Sequence, residues 1–197
     1  MKKAAIFDFD HTLIEGDSLW PYLGYAVGKG LSYVALAEAL AVLTLRYVQF
    51  RQPESARTFI KDRILRNLLA GKKQAALAPA SARTRIWQKE NAQMMRRLQE
   101  HRANGDVIVI ASGSLDLYLP ILLRDIPHDA LICTEIGVKN GIVTGEMIKG
   151  NCVRQNKAAR VKEWLDANGP FDETYGYGNY PHDVPMLNLV KHRIIVS

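Results

Sequence analysis

Ile6-Phe7-Asp8-Phe9-Asp10-His11-Thr12-Leu13 is the stretch that decides how this chain is read. Residues 4–7, Ala-Ala-Ile-Phe, make a short apolar run that stops on polar side chains, the pattern of a buried strand reaching its carboxyl end. Asp8 and Asp10 stand two apart. On extended backbone such carboxylates point the same way, so the pair can share a metal ion and a phosphate. In open α/β sheets ligands collect at the carboxyl ends of strands, where this pair falls. For two aspartates alone, capping of the following turn is an equally good account.

Outward from that strand, nothing between Ser18 and about Asn104 reads as β-structure. Leu31 to Phe50 is rich in Ala, Leu and Val and carries only Glu38 and Arg46. It is nearly long enough to cross a bilayer, but its charges favour a buried helical-hairpin element. Arg57 to Leu69 repeats Ile60, Ile64 and Leu68 among basic residues, an amphipathic helix. Ala82 to Ala103 reads as another helix, with Trp87, Met94 and Leu98 on one stripe and Asn104-Gly105 as its stop.

After Gly105 the rhythm changes. Val107 to Ala111 is a continuous apolar strand, followed by Ser112-Gly113-Ser114 and a helix through Leu123. Ala130 to Cys133 is the next strand, and Lys139-Asn140-Gly141 marks a hairpin turn. Asn156 to Ala167 reads as helix, Thr174 to Tyr177 leads into Gly178-Asn179, a short helix lies near Met186 to Val190, and Arg193 to Val196 closes as a strand. Continuous apolar strands alternating with helices predict an α/β fold with a parallel sheet covered on both faces. The predicted division is a core of residues 1–17 and 105–197, interrupted by a helical insertion of residues 18–104.

Composition bounds the function. The 197 residues are ordinary globular material, 48% hydrophobic and 23% charged, which excludes collagen-like and low-complexity classes. Two cysteines, Cys133 and Cys152, without a CxxC pair argue against a disulfide scaffold or a zinc module and for free thiols. Charges in MKKAAIFDFDHTL fall where a signal peptide would be apolar, so a cytoplasmic location is expected. The overall charge of +6 is uneven: residues 46–102 hold fourteen basic against four acidic side chains, a net of +10, and the remainder is at −4. A solvated helical surface and attraction to anionic ligands or lipid both account for this. No nucleic-acid recognition motif accompanies the basic residues, so no nucleic-acid partner is expected.

Further candidates lie at the ends of the later strands. Ser112 and Gly113 offer a hydroxyl and open amides suited to phosphoryl oxygens, or a plain helix cap. Lys157, opening a helix, can reach inward as a fixed cation or stand in solvent. Asn179 and Asp183 can face one ion or cap a helix.

Taken in order, these stretches resemble the four motifs of the haloacid dehalogenase superfamily of phosphohydrolases. Phe7 to Leu13 is similar to the first motif (DxDxT), Ala111-Ser112-Gly113-Ser114 to the second, Lys157 to the third and Gly178 to Asp183 to the fourth. The helical insertion resembles the cap of the subclass that contains phosphoserine phosphatase. Residues 152–161 and 177–187 are similar to the bacterial phosphatidylglycerophosphatase C type. The resemblance implies a Rossmann-like three-layer sandwich with an inserted all-helical cap, and a phosphomonoesterase that uses Mg²⁺. It assigns catalysis to Asp8, Asp10, Ser112 and Lys157, and metal binding to Asp8, Asp10, Asn179 and Asp183. Substrate contacts fall to Thr12, Asp17, Ser112, Gly113 and Lys157. Asp8 would be the nucleophile and Asp10 the acid and base.

The implied substrate is a phosphorylated small molecule or a phospholipid head group, with peripheral contact to an anionic membrane left open. Phosphoserine phosphatase is one alternative, and a catalytically weak phosphate-binding or membrane-binding regulatory relative is another. Two positions depart from the family pattern. His11 stands where glycine is commonest, and Asn179 where an aspartate usually binds the metal.

Overall fold

The computed structural model describes residues 1–45, 53–77 and 85–196. Strand β1, Lys3–Phe7, is buried throughout its apolar length, as a run without polar alternation must be. Helices α1 (Leu19–Ala26), α2 (Lys29–Leu45), α3 (Pro53–Leu69) and α4 (Ala92–Ala103) follow before β2 (Val107–Leu115). Then come α5 (Leu119–Leu122), β3 (Ala130–Thr134), the hairpin β4 (Ile136–Lys139) and β5 (Ile142–Met147), α6 (Arg154–Asn168), β6 (Glu173–Asn179), α7 (Val184–Leu187) and β7 (His192–Val196).

Five strands form one parallel sheet in the order β3-β2-β1-β6-β7. The chain runs outward from β1 through β2 and β3, then returns to β1's other side with β6. The carboxyl end of β1 is therefore the topological switch point, where a crevice opens by construction. Alternate residues of the strands serve opposite layers. Phe7, Ile108 and Ile110 pack with Leu98 of α4, while Ile6, Val109 and Ala111 pack with Val161 of α6 and Met186 and Leu187 of α7. The expected α/β sandwich with a parallel sheet is what the chain forms.

Several local expectations change. The helix expected over Ala82–Ala103 is interrupted: Arg85 to Trp87 are helical, the chain turns over residues 88–91, and helix resumes at Ala92, where the Asn91 side chain accepts from the Met94 amide at 3.2 Å; residues 78–84 lie outside the described residues. Just before it the backbone is held by the loop after β1: Glu15 donates to the Lys89 carbonyl (2.6 Å) and Asn91 to that of Leu13 (2.9 Å). That pairing diverts the chain from helix. α4 lies on the sheet, its buried His101 bridging Asp106 (2.7 Å) and the Tyr177 hydroxyl (2.8 Å). The helix expected through Leu123 shortens to Leu119–Leu122, because β2 continues to Leu115 past a register shift.

α2 packs along α3 as a hairpin, but not as a buried one. Ala35 and Ala39 face inward, whereas Leu31, Tyr33, Val34 and Leu40 are exposed. Residues 46–52 of the expected apolar run lie outside the described residues. Among the described residues no single helix is long and apolar enough to cross a membrane; α1 and α2 reach that composition only together, across a 120° bend.

The β4–β5 turn is the one expected, with Asn140 and Gly141 at φ of 53° and 75°. Its hairpin docks on α3 through Gly145, whose φ is +78° and where a Cβ would lie 2.7 Å from the Arg66 Cα. Gly145→Ala is expected to destabilise the protein by roughly 1–3 kcal/mol, lowering the melting temperature by several degrees. Gly141→Ala, with open space around it, should show only the smaller backbone strain, about 1 kcal/mol. Parallel thermal melts check the difference.

Candidate active site

The loop after β1 places Asp8 and Asp10 at the switch point. Asp8 is buried, its amide held by the Tyr177 carbonyl at 2.9 Å, which extends the β1–β6 pairing one residue beyond the strand. His11 takes a φ of 59°, the left-handed conformation that glycine adopts more readily, and donates its amide to the Gly16 carbonyl at 3.0 Å. The chain thus makes the tight turn without the glycine.

Lys157, in the first turn of α6, is the centre of the charge arrangement. Its buried Nζ donates to Asp8 Oδ1 and to Asp183 Oδ1, both at 2.7 Å. The other Asp183 oxygen accepts from the Asn179 amide at 2.9 Å, and Thr12 Oγ1 donates to Asp8 Oδ2 at 3.3 Å. Burial pushes the Asp8 carboxyl up to about 7, and the neighbouring Asp183 and Asp10 add to the rise against the opposing pull of Lys157. Burial works against the charge on Lys157, but Asp8 and Asp183 together hold its pKa above the usual lysine value.

Asp10 is held differently. Its Oδ1 accepts from the Ser18 amide at 2.7 Å and its Oδ2 from the Ser114 hydroxyl. Ser114 Oγ in turn accepts from the Tyr118 hydroxyl (2.7 Å) and lies 2.9 Å from Ser18 Oγ. Burial raises the Asp10 pKa, helped by Asp17, while the Ser114 and Ser18 contacts oppose the rise. A carboxyl with a raised pKa fixed by hydroxyls is a group that can hold and return a proton.

A cavity of about 520 Å³ opens over this cluster, lined by Asp8, Asp10, Asp17, Lys157, Asn179 and Asp183 among others. Gly113 and Ser114 stand on its wall, while Ser112 is fully buried behind them and accepts the Ser114 amide at 3.0 Å. Asp17 is at the rim, accepting from the Trp20 amide at 3.2 Å.

Several functional side chains escaped the sequence reading. Lys61 of α3 crosses the cavity to donate to the Gly113 carbonyl (2.6 Å) and Asn151 Oδ1 (2.7 Å), and burial brings its pKa down to about 8 against the pull of Asp10 and Asp17. Arg57 and His182 also line the cavity, and burial lowers the His182 pKa, with Arg154 and Arg57 adding to the effect. Ser18 and Tyr118 complete the hold on Asp10. Ser114 was legible as a neighbour of Ser112; nothing in the spacing marked the others.

The donor set suits a hard divalent cation. Asp8, Asp10 and Asp183 against Lys157 leave the buried cluster at −2 when all are ionised, and Asn179 Oδ1 is buried without a hydrogen-bond partner among the described residues. The Asn179 side chain meets the Asp10 carbonyl, its Nδ2 lying 3.3 Å from that oxygen. The side-chain oxygens of Asp10 and Asp183 are already engaged, and among the described residues no three acidic, His or Cys side chains converge as a metal cage. The Asp8 oxygens are engaged as well, by Lys157 and Thr12, and the Asp10 carbonyl by Asn179 Nδ2, so of this set Asn179 Oδ1 is the oxygen with no hydrogen-bond partner among the described residues.

A family model described as haloacid dehalogenase-like hydrolase matches residues 5–188. A histidinol-phosphatase of Neisseria meningitidis serogroup C (strain 8013) is 27% identical over 205 residues, covering 100% of this chain and 91% of that protein. Among solved structures, a protein of unknown function from Bordetella pertussis Tohama I superposes with a TM-score of 0.74 at 23% identity, covering 99% of this chain and 90% of that one. A substrate-bound phosphoserine phosphatase superposes at 0.66 with 18% identity, covering 99% and 86%. At these identities the two structures establish a shared fold.

Removing the shared cation should separate the two lysines of the site. Lys157→Met leaves Asp8 and Asp183 buried without their counter-charge, and a loss of about 3–5 kcal/mol in urea unfolding is expected. Lys61→Met removes only contacts to a carbonyl and an amide oxygen, for which a loss nearer 1–2 kcal/mol is expected.

Proposed function

The chain belongs to the haloacid dehalogenase-like hydrolases, and from that premise we propose that it hydrolyses phosphomonoesters through an aspartyl-phosphate on Asp8. The observation that carries this reading is the pair of carboxylates in one cavity wall with opposite fittings: Asp8 clamped by an ammonium, Asp10 held by hydroxyl and amide donors.

In the first step an Asp8 oxygen attacks phosphorus and the bond to the ester oxygen breaks, while Asp10 gives that oxygen its proton. In the second, Asp10 takes a proton from water as the water oxygen attacks the same phosphorus. The bond to Asp8 breaks and inorganic phosphate leaves. Lys157 keeps Asp8 oriented and offsets charge on the phosphoryl group. Gly113, on the cavity wall, would hold phosphoryl oxygens; Ser112 and Thr12, fully buried, would support it by fixing the Ser114 amide and Asp8, and Asp17 would face the leaving group. Mg²⁺, held by Asp8, the Asp10 carbonyl and Asn179, would offset the repulsion between Asp8 and an incoming phosphate.

The substrate class is a phosphorylated small molecule or a lipid head-group phosphate. A histidinol-phosphatase among the relatives and phosphoserine phosphatases among the fold neighbours make histidinol phosphate and phosphoserine the first members of a test panel. Asn179, neutral where a carboxylate is usual, favours a second reading as a weakly catalytic phosphate-binding protein, and the same panel separates the two.

Phosphate release with and without Mg²⁺ should fall by at least about a thousandfold in Asp8→Asn, with circular dichroism unchanged, because an amide is no nucleophile. Near-normal turnover by that variant would sink the assignment. Asn179→Asp adds a charge at the open cation position, so its Mg²⁺ affinity by calorimetry should rise several-fold. An unchanged affinity would mean that Asn179 does not face the ion.

A further inference from the structure

A second cavity, of about 600 Å³, lies beside the first on the outer side of α1 and α2. Its walls are largely apolar: Ile14, Trp20, Pro21, Tyr25, Tyr33 and Ile86. Lys29, Arg85 and Lys89 also stand around it, and the methylenes of Lys29 lie against the backbone at Gly24. Long stems of this kind cover apolar surface while their ammonium groups stay in water. Asp17 and Trp20 line both cavities, so a single partition separates them.

That partition adjoins the reacting groups. Ser18, whose amide holds Asp10 Oδ1 at 2.7 Å, is the residue between Asp17 and the start of α1. Asp10, the group assigned to protonate the leaving oxygen, is therefore one hydrogen bond away from the backbone of that partition. Exposed apolar residues also concentrate on the two adjoining helices, and three of them, Trp20, Tyr25 and Tyr33, line the cavity. Of twelve exposed large apolar side chains among the described residues, six (Trp20, Tyr25, Leu31, Tyr33, Val34 and Leu40) lie on α1 and α2. Scattered exposed apolar residues need no explanation; a group beside a cavity does.

We propose that the second cavity receives an apolar tail of the leaving group, so that the substrate is an amphiphilic phosphomonoester with its phosphate at Asp8 and Lys157 and its tail against Trp20, Tyr25 and Tyr33. This rests on the phosphomonoesterase reading and narrows it. The cavity has the size of an ordinary small-ligand pocket. The basic groups around it disfavour a cationic tail end and tolerate a neutral or anionic one.

Calorimetric titration of the full chain with n-alkylphosphonates from methyl to octyl, in monomeric solution with Mg²⁺, tests the tail site without requiring turnover. The dissociation constant is expected to fall about two- to fourfold per methylene as the chain lengthens. In Tyr25→Ser/Tyr33→Ser, altered at exposed positions away from the catalytic groups, the series should flatten while methylphosphonate binds as before. A flat series in the unaltered protein, or a slope that survives the double substitution, overturns the proposal. A flat series together with sedimentation on anionic vesicles that the double substitution abolishes overturns it in favour of membrane docking by the same face. Phosphate release from methyl phosphate and p-nitrophenyl phosphate reports separately on the chemistry. Release with a flat binding series sinks the tail site alone, and a flat series with no release from either ester overturns both readings.

Discussion

The ammonium of Lys157, buried and shared by Asp8 and Asp183, is the contact around which the rest of the site is arranged. An isolated carboxylate at that depth would shed its charge. One cation between two carboxylates keeps the cluster ionisable yet leaves it short of positive charge. Such a cluster contributes little to stability by itself, because desolvation offsets most of the Coulomb attraction. Its consequence is chemical: the uncompensated charge, together with an Asn179 oxygen that has no hydrogen-bond partner among the described residues, supports the proposal that a cation and a phosphate would meet here.

The sheet makes this contact possible. Asp8, Lys157 and Asp183 are far apart in sequence and come from the ends of three elements, and they meet because β1 and β6 are neighbours while α6 and α7 cover the same face. Gly178 shows how close the approach is: a Cβ there would lie 2.7 Å from that of Asp183. On the opposite side, Asp10 is tied through Ser18 and Ser114 to the start of α1 and to Tyr118. The helical segment is thereby connected directly to Asp10, the proposed acid–base group.

The catalytic end of the site was legible in the chain because local order carries it. An apolar run breaking into Asp-x-Asp-x-Thr, a strand leading into Ser-Gly-Ser, and a lysine opening a helix are each short-range patterns, and each gave its element, although β2 runs through Ser-Gly-Ser to Leu115. The substrate-facing side was not legible. Lys61 looks like any basic residue on an amphipathic helix, and only the docking of α3 against residues 113 and 151 carries its ammonium into the cavity. The helix expected from Ala82 is interrupted for a related reason. Its apolar stripe is real, but Glu15 and Leu13 hold the backbone near residue 90 with hydrogen bonds that periodicity does not register.

The amino-acid sequence by itself determined the α/β class, the order of the strands along the chain and the carboxylates and lysine proposed for phosphoryl chemistry. These follow from periodicity and side-chain type. Tertiary structure alone decided that Asp10 is held by a hydroxyl and a backbone amide, that Asn179 Oδ1 is unpaired among the described residues, and that α2 exposes side chains expected to be buried. Each of these depends on which surfaces meet across long sequence separations, and burial, hydrogen-bond satisfaction and charge compensation take their values only once those surfaces are in contact.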